Sequence, residues 1–237
     1  MLKKHLIFYF ILLLTAQKAT SQNVNPALQK ADSLFAKGAY EASYPWYKQA
    51  LRQQHQASAR LLLRMAYVQE GLGHYPAALY YLSLAHARQP RLATWRKASE
   101  LAQNHRLTGY TTSWRQSFTI AFWRYYYRGL QLLLAGAVGG GIFLLLRRRR
   151  PRHWWLTYGL CIGLTGAYLN LLLPDRVGLV VRPHVALMAG PSAGATWLTT
   201  STAGDRLVVQ GQQDIWYRVQ WRGRDAYIRR NDLLLVQ

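Results

Sequence analysis

The organisation of the chain turns on GLQLLLAGAVGGGIFLLL at residues 129–146, RRRRPRH at 147–153 and WWLTYGLCIGLTGAYLNLLL at 154–173. Eighteen uncharged residues lead into five arginines within six positions, and twenty uncharged residues follow. At ~1.5 Å per residue, each apolar stretch is about long enough as an α-helix to cross the ~30 Å hydrocarbon core of a bilayer. A seven-residue connector cannot pass back through a bilayer, so the pattern predicts an antiparallel helical hairpin. Arginine at this density in a short loop resists translocation and marks the cytoplasmic side. Arg147, Arg148, Arg149, Arg150 and Arg152 therefore set the expected topology, with both flanking segments on the far side.

The amino terminus gives the same orientation. Lys3, Lys4 and His5 precede a short apolar run at 6–14 and a polar stretch at 15–22. Nine apolar residues are too few to span, and small residues at Ala19 and Ser21 complete a secretory-signal pattern. An uncleaved anchor would export the following residues equally. The expected organisation is a signal peptide at 1–21, a helical repeat domain at 22–112 and an aromatic membrane-proximal segment at 113–128. Transmembrane helices follow at 129–146 and 154–173, around a cytoplasmic basic loop at 147–153, and a small β-domain fills 174–237. The chain is expected to pass the membrane more than once, with both larger modules on the exported side.

The formal charge of +21 is distributed against a nucleic-acid role. Residues 22–117 hold twelve Lys/Arg against four acids, and 174–237 hold eight against five, while the other ten cations sit in the signal region and membrane flanks. An exported chain meets no genome, so the charge is read as membrane-surface electrostatics and the lipid bilayer as a partner. The single cysteine, Cys161, can form no intramolecular disulfide. The exported modules must be stable without cross-links.

From residue 27 to 107 the apolar spacing is helical and repeats. Ala31, Leu34, Gly38, Tyr40, Ser43, Tyr47 and Ala50 correspond to Ala66, Gln69, Gly73, Tyr75, Ala78, Leu82 and Ala85, with the turn glycines 35 residues apart. This pattern resembles the tetratricopeptide repeat. The small residues let paired helices approach closely, and Gln69 departs from the bulky apolar residue usual at its place. Residues 92–107 are expected to form a capping helix. Such repeats imply a groove for a partner's peptide, in which Lys48, Arg60 and Arg64 are candidate cations. The same three side chains suit a solvated outer face. Histidines 55, 74, 86 and 105 show no ligand spacing, so no metal site is expected.

The hairpin reads as an anchor. Trp114, Phe118, Phe122, Trp123 and Tyr125 to Tyr127 mark one interface, and Trp154 and Trp155 the other. Gly136-x-x-x-Gly140 and Gly159-x-x-x-Gly163 offer small-residue stripes, for pairing either within the hairpin or between protomers. Neither span carries an ionisable group besides the Cys161 thiol, which argues against transport.

After Pro174 the period changes to alternation across 180–185. Turn signals at 189–192 and 204–205 and short apolar runs near 207–209, 216–219, 226–228 and 233–236 predict a small barrel. Leu187-x-x-Gly190-Pro191-Ser192, Gly204-x-x-Leu207-x-Val209, Trp216-x-x-Val219 and Tyr227-Ile228 together resemble the bacterial SH3 domain. Ala226 stands where that family usually has glycine. The resemblance implies an aromatic groove for wall peptides or protein segments, with Trp197, Tyr217, Arg218, Trp221, Arg222 and Arg224 as candidates. Trp216 and Tyr227 suit either the groove or the core.

Signal, helical repeats, hairpin and SH3-like barrel in this order resemble the E component of the Bat aerotolerance operon and related Bacteroidetes envelope proteins, as does the run at 61–73, and the resemblance implies a multi-pass protein of the cell inner membrane with the N-terminal repeats and C-terminal SH3-like domain in the periplasm. The fold class is thus a multidomain membrane protein: all-α tetratricopeptide-like repeats, a transmembrane helical hairpin and a C-terminal SH3-like β-barrel. The expected function is a membrane-anchored envelope scaffold, whose repeats hold a protein partner and whose barrel holds a peptide or peptidoglycan component. A sensor transmitting through the hairpin is the alternative. Nine acids without a paired-carboxylate motif, a Gly-x-Ser-x-Gly elbow or an exported His–Cys dyad argue against an enzyme such as a wall hydrolase. No cofactor is expected.

Overall fold

The structure is a computed structural model that describes residues 25–53, 57–111, 114–146, 152–170 and 175–236. The expected signal peptide and Arg147 to Arg150 lie outside the described residues. The chain divides after residue 53 into two compact units. The described part is helical through residue 170 and then forms one antiparallel sheet.

The first unit contains α1 (Pro26–Ala36) and α2 (Tyr40–Gln53). The Asn25 side chain accepts from the Ala27 and Leu28 amides, and Pro26 opens the helix, where it forfeits no intrahelical bond. Tyr47 is fully buried between the two helices, and its hydroxyl donates to Asp32 at 2.9 Å.

The second unit begins with α3 (Ala59–Gly71), α4 (Tyr75–Arg88) and α5 (Leu92–Asn104). The Ser58 hydroxyl caps α3 by accepting from the Leu61 amide at 3.2 Å. Leu62, Met65 and Ala66 on α3 and Ala78, Leu79 and Leu82 on α4 are buried, and the two helices pack together. Gln69, the outlier of the repeat pattern, is buried, and its side-chain oxygen lies 3.0 Å from His74 Nδ1. That bond lets a polar residue occupy an apolar place.

Two long helices follow, α6 (Trp114–Leu146) and α7 (Arg152–Asn170), packed antiparallel. At one end the Tyr168 hydroxyl donates to the Tyr126 carbonyl at 3.1 Å, and the two rings stack. Farther along, the Tyr158 ring lies against Gly140 and Gly141. No atom stands within 4 Å of the Cβ direction at Gly136, Gly159 or Gly163, so the hairpin is notched by tyrosines rather than by paired glycine stripes. Two bilayer-length spans were expected. Among the described residues one helix is long and apolar enough, Gln116–Leu144 with a mean hydropathy of 1.3. Leu171, Leu172 and Leu173 of the second expected span lie outside the described residues.

The sheet comprises β1 (Arg176–Val180), β2 (Val185–Met188), β3 (Trp197–Ser201), β4 (Arg206–Gln213), β5 (Trp216–Trp221), β6 (Arg224–Arg229) and β7 (Leu233–Val236). Their order is β3-β2-β6-β5-β4-β1-β7. Leu187 on β2 and Leu233 on β7, near opposite ends of that order, share one core with Val180, Leu207, Val219 and Ile228, so the sheet curls. Ala226 is fully buried in this core, where its methyl replaces the void a glycine would leave. The alternation at 180–185 is not one strand: β1 stops at Val180, and His184, at φ 58°, turns the chain into β2. Arg222 and Gly223, both at positive φ, make the two-residue β5–β6 hairpin.

The β-domain docks on the helices of its own unit. Asp205, 4% exposed, accepts at Oδ1 from the Thr108 amide (2.7 Å) and hydroxyl (2.9 Å). Its Oδ2 accepts from the Ser201 hydroxyl (2.8 Å) and the Thr202 amide (2.7 Å). The Arg206 amide donates to the Thr108 carbonyl, and the Tyr110 hydroxyl to the Gly204 carbonyl at 2.9 Å. Gly204, at φ 95°, permits this approach, since a Cβ there would meet Leu107 at 2.9 Å and Leu79 at 3.4 Å. Removing a buried acceptor that satisfies two amides and two hydroxyls should cost about 2–4 kcal/mol. Asp205→Ala should therefore lower the thermal midpoint of the second unit and speed hydrogen exchange at the Thr108 and Thr202 amides. Unchanged exchange at both would show that the carboxylate does not hold the seam.

Candidate functional site

Strand register assembles the candidate surface. Trp197 on β3 pairs with Met188 on β2, Met188 with Tyr227 on β6, and Tyr227 with Arg218 on β5. Directly opposed residues project from the same face, so these four form one row across four strands. At ~4.8 Å per strand the row is about 14 Å long. Trp197 is 59% exposed, Arg218 is exposed, and Met188 and Tyr227 are half-buried. Gly211, next in register after Arg218, leaves the guanidinium room to lie against β4, 3.9 Å from its Cβ direction.

Arg218 reaches Asp225 at 3.9 Å, with both side chains about half exposed. An exposed pair at this distance contributes little, about 0–1 kcal/mol, and leaves Arg218 available to a stronger anion. The row thus offers an aromatic plane, a flexible thioether, a phenol ring and a guanidinium in line. It suits an extended peptide with apolar side chains beside a carboxylate.

The remaining sequence candidates separate by strand parity. Tyr217 and Val219 alternate with Arg218, and Tyr217 is 8% exposed within the β-domain core, so its ring is not offered to a groove. Trp221 shares that inward parity and packs half-buried against the core. The Arg222 guanidinium lies 5.6 Å from the Trp221 ring, and Arg224 pairs with Trp221. Arg222 and Arg224 thus belong to the β5–β6 hairpin end rather than to the row. Trp216 is buried although its parity is outward, with Arg229 over it at 5.6 Å. Met188 was missed in the sequence, because its place follows only from a shifted register between Leu187 and Met188. Trp197 was recognised as a residue, but the strand that carries it was not.

On the helices, Arg60 and Arg64 lie one turn apart on α3, exposed and half-buried respectively. Lys48 is exposed on α2, in the other compact unit. Arg152 is the first residue of α7. Among the described residues no three His, Cys, Asp or Glu side chains converge.

A second cluster of polar groups occupies the seam. Trp95 on α5 is 4% exposed, its ring 5.6 Å from His86 on α4 and 6.2 Å from Tyr110. The Arg206 guanidinium lies 5.0 Å from the Trp95 ring, and its Nη1 donates to the Gly109 carbonyl at 3.3 Å. Burial draws Arg206 below its ordinary value, opposed by Tyr110 and Asp175. Burial likewise holds the Tyr110 hydroxyl well above the usual phenol range. No protein-family description and no curated protein matches the chain.

The row and the core should part in stability measurements. Trp197→Ala should alter unfolding by no more than about 0.5 kcal/mol, as for an exposed side chain. Tyr217→Ala should cost about 3–5 kcal/mol, the range for losing a buried aromatic ring. Equal losses in chemical denaturation would refute the assignment of faces.

Proposed function

We propose that this protein is a membrane-anchored envelope scaffold whose β-domain holds an extended peptide on the Trp197–Met188–Tyr227–Arg218 row. The row carries the proposal: three adaptable apolar groups end at a guanidinium that is only loosely paired. A carboxylate bound at Arg218 would sit about four extended residues from a side chain on Trp197, at ~3.3 Å per residue. Wall stem peptides and acidic protein tails share this chemistry. The tetratricopeptide-like reading of α1–α5, the SH3-like reading of the β-domain and the likeness to Bat E-type proteins belong to the same proposal.

Membrane insertion is supported by α6 and its surroundings. At about 50 Å, α6 exceeds a hydrocarbon core, so its aromatic first turns extend into the headgroup region. Trp114, Phe118, Tyr125 and Tyr127 are exposed there, beside exposed Arg124 and Arg128. Residues 101–174 contain no Asp or Glu, so lipid phosphate is the natural counter-ion for those arginines. In this reading α6 crosses the bilayer and α7, packed antiparallel against it, returns across it. The seam supports a shared side for helices and β-domain, because Thr108 precedes the hairpin and Asp205 follows it, yet the two touch.

Retention of the detergent-solubilised chain on peptidoglycan sacculi and on synthetic stem peptides tests the row. Trp197→Ala and Arg218→Ala should each weaken retention at least tenfold, a ~1.4 kcal/mol effect, with melting unchanged. Failure of sacculi, stem peptides and acidic envelope peptides alike to retain the native chain would refute the peptide reading.

A further inference from the structure

Strand register and the seam together set which end of the β-domain lies nearest the hairpin. Tyr168 holds the last turn of α7 beside Tyr126, yet α6 begins twelve residues before Tyr126, about 18 Å farther out at ~1.5 Å per residue. The seam lies at that outer end, since Thr108 is six residues before Trp114 and bonds Asp205. Strand β1 joins the two levels. It begins at Arg176, six residues after Asn170, and ends at Val180. There the Val180 amide donates to the Asp205 carbonyl and its carbonyl accepts from the Gly204 amide. The strand thus leads from the end of α7 to the seam, away from the membrane-spanning part of α6.

Neighbouring strands carry that direction across the sheet. Arg176 pairs with Val209, and Val209 with Val219. Past this level, back toward α7, β4 and β5 continue for three more rungs, Gly211–Arg218, Gln212–Tyr217 and Gln213–Trp216. Three rungs at ~3.3 Å make a finger about 10 Å long. Asp214, at φ 53°, and Ile215 close it in a two-residue turn. Turns of this kind favour Gly, Asn and Asp, yet Ile215 stands 54% exposed at the tip. The Arg230 amide donates to the Ile215 carbonyl at 2.8 Å, and Arg229 pairs with Trp216 on the last rung. Both arginines are exposed, and among the described residues neither makes an ion pair. Asp214 is the acid of the turn, while the nearby Asp232 is engaged by Arg182 at 3.5 Å.

Building on the membrane reading of α6, we propose that the β4–β5 turn is a second membrane contact, made with the anionic phospholipids of the exported-side leaflet. Ile215 enters the headgroup boundary, and Arg229 and Arg230 bind lipid phosphates on either side of it. An apolar side chain flanked by cations suits that boundary, because the one leaves water while the others meet negative surface charge. Asp214 is repelled by the same surface, so it offsets part of what the arginines gain. The β-domain then stands on two supports, the seam at its outer end and the finger at the bilayer.

Collision measurements on the nitroxide-labelled full chain test this contact in vesicles of phosphatidylcholine with phosphatidylglycerol. One label is placed at Gln213→Cys, which leaves Ile215 intact, one at Gln220→Cys nearer the seam, and one at Leu132→Cys on α6. All three positions are exposed, and each label is carried in a Cys161→Ser background. The Leu132 label should meet oxygen far more than a water-soluble nickel chelate, and the Gln220 label the reverse. The Gln213 label should be shielded from the chelate and open to oxygen. Ile215→Asn combined with Arg230→Gln should return it to the Gln220 pattern with melting unchanged. In phosphatidylcholine alone the docked-to-free ratio of the tip should fall at least about fivefold, the effect of one arginine leaving an anionic surface. A Gln213 label as open to the chelate as Gln220, with Leu132 in lipid, would overturn the tip contact and leave the anchoring reading standing. Leu132 in water would overturn both. Shielding of Gln213 that survives the double substitution would also overturn the contact, since protein rather than lipid would then cover the turn.

Discussion

The carboxylate of Asp205 joins two parts of the chain that the sequence keeps far apart. It accepts from Thr108 on one oxygen and from Ser201 and Thr202 on the other. Oxygen Oδ2 thereby shapes the β3–β4 turn, and Oδ1 binds that turn to the exit of the helices. One buried anion so folds a loop and docks a domain, and the free energy of both falls with its loss. The same turn holds Gly204 at positive φ beside Leu107 and Leu79, where a Cβ would crowd them.

This docking constrains the hairpin. Residues 108–110 lead into α6, and β1 follows α7, so the seam draws together the two ends of a 57-residue excursion from Trp114 to Asn170. The tyrosine contacts Tyr126–Tyr168 and Tyr158–Gly141 then fix how α6 and α7 run side by side.

Local rules were legible in the sequence. The turn glycines Gly38 and Gly73, 35 residues apart, both take the positive φ that ends a helix, which follows from backbone sterics within a few residues. The extended reading of 180–185 failed because alternation does not distinguish a strand from a turn placed by His184. Tyr217 was taken for a groove residue because composition does not reveal strand parity, and β-sheet parity depends on register. The apparent misfit of Gln69 was real as a pattern, yet its remedy, His74, lies five residues away beyond a turn. The seam itself was not legible: Thr108 and Asp205 are 97 positions apart, and each alone reads as a polar turn residue. The Trp197–Arg218 row is similarly a product of four strands, one of them shifted in register.

The central proposal is that the helices of the second unit and the β-domain share one side of a membrane that the hairpin would enter. Single cysteines at Gln103 and at Gln220, each in a Cys161→Ser chain, can be exposed to a membrane-impermeant maleimide in sealed vesicles of one orientation. Both should react in the same vesicles, and neither in vesicles of the opposite orientation. Reaction of the two positions from opposite faces would contradict the account.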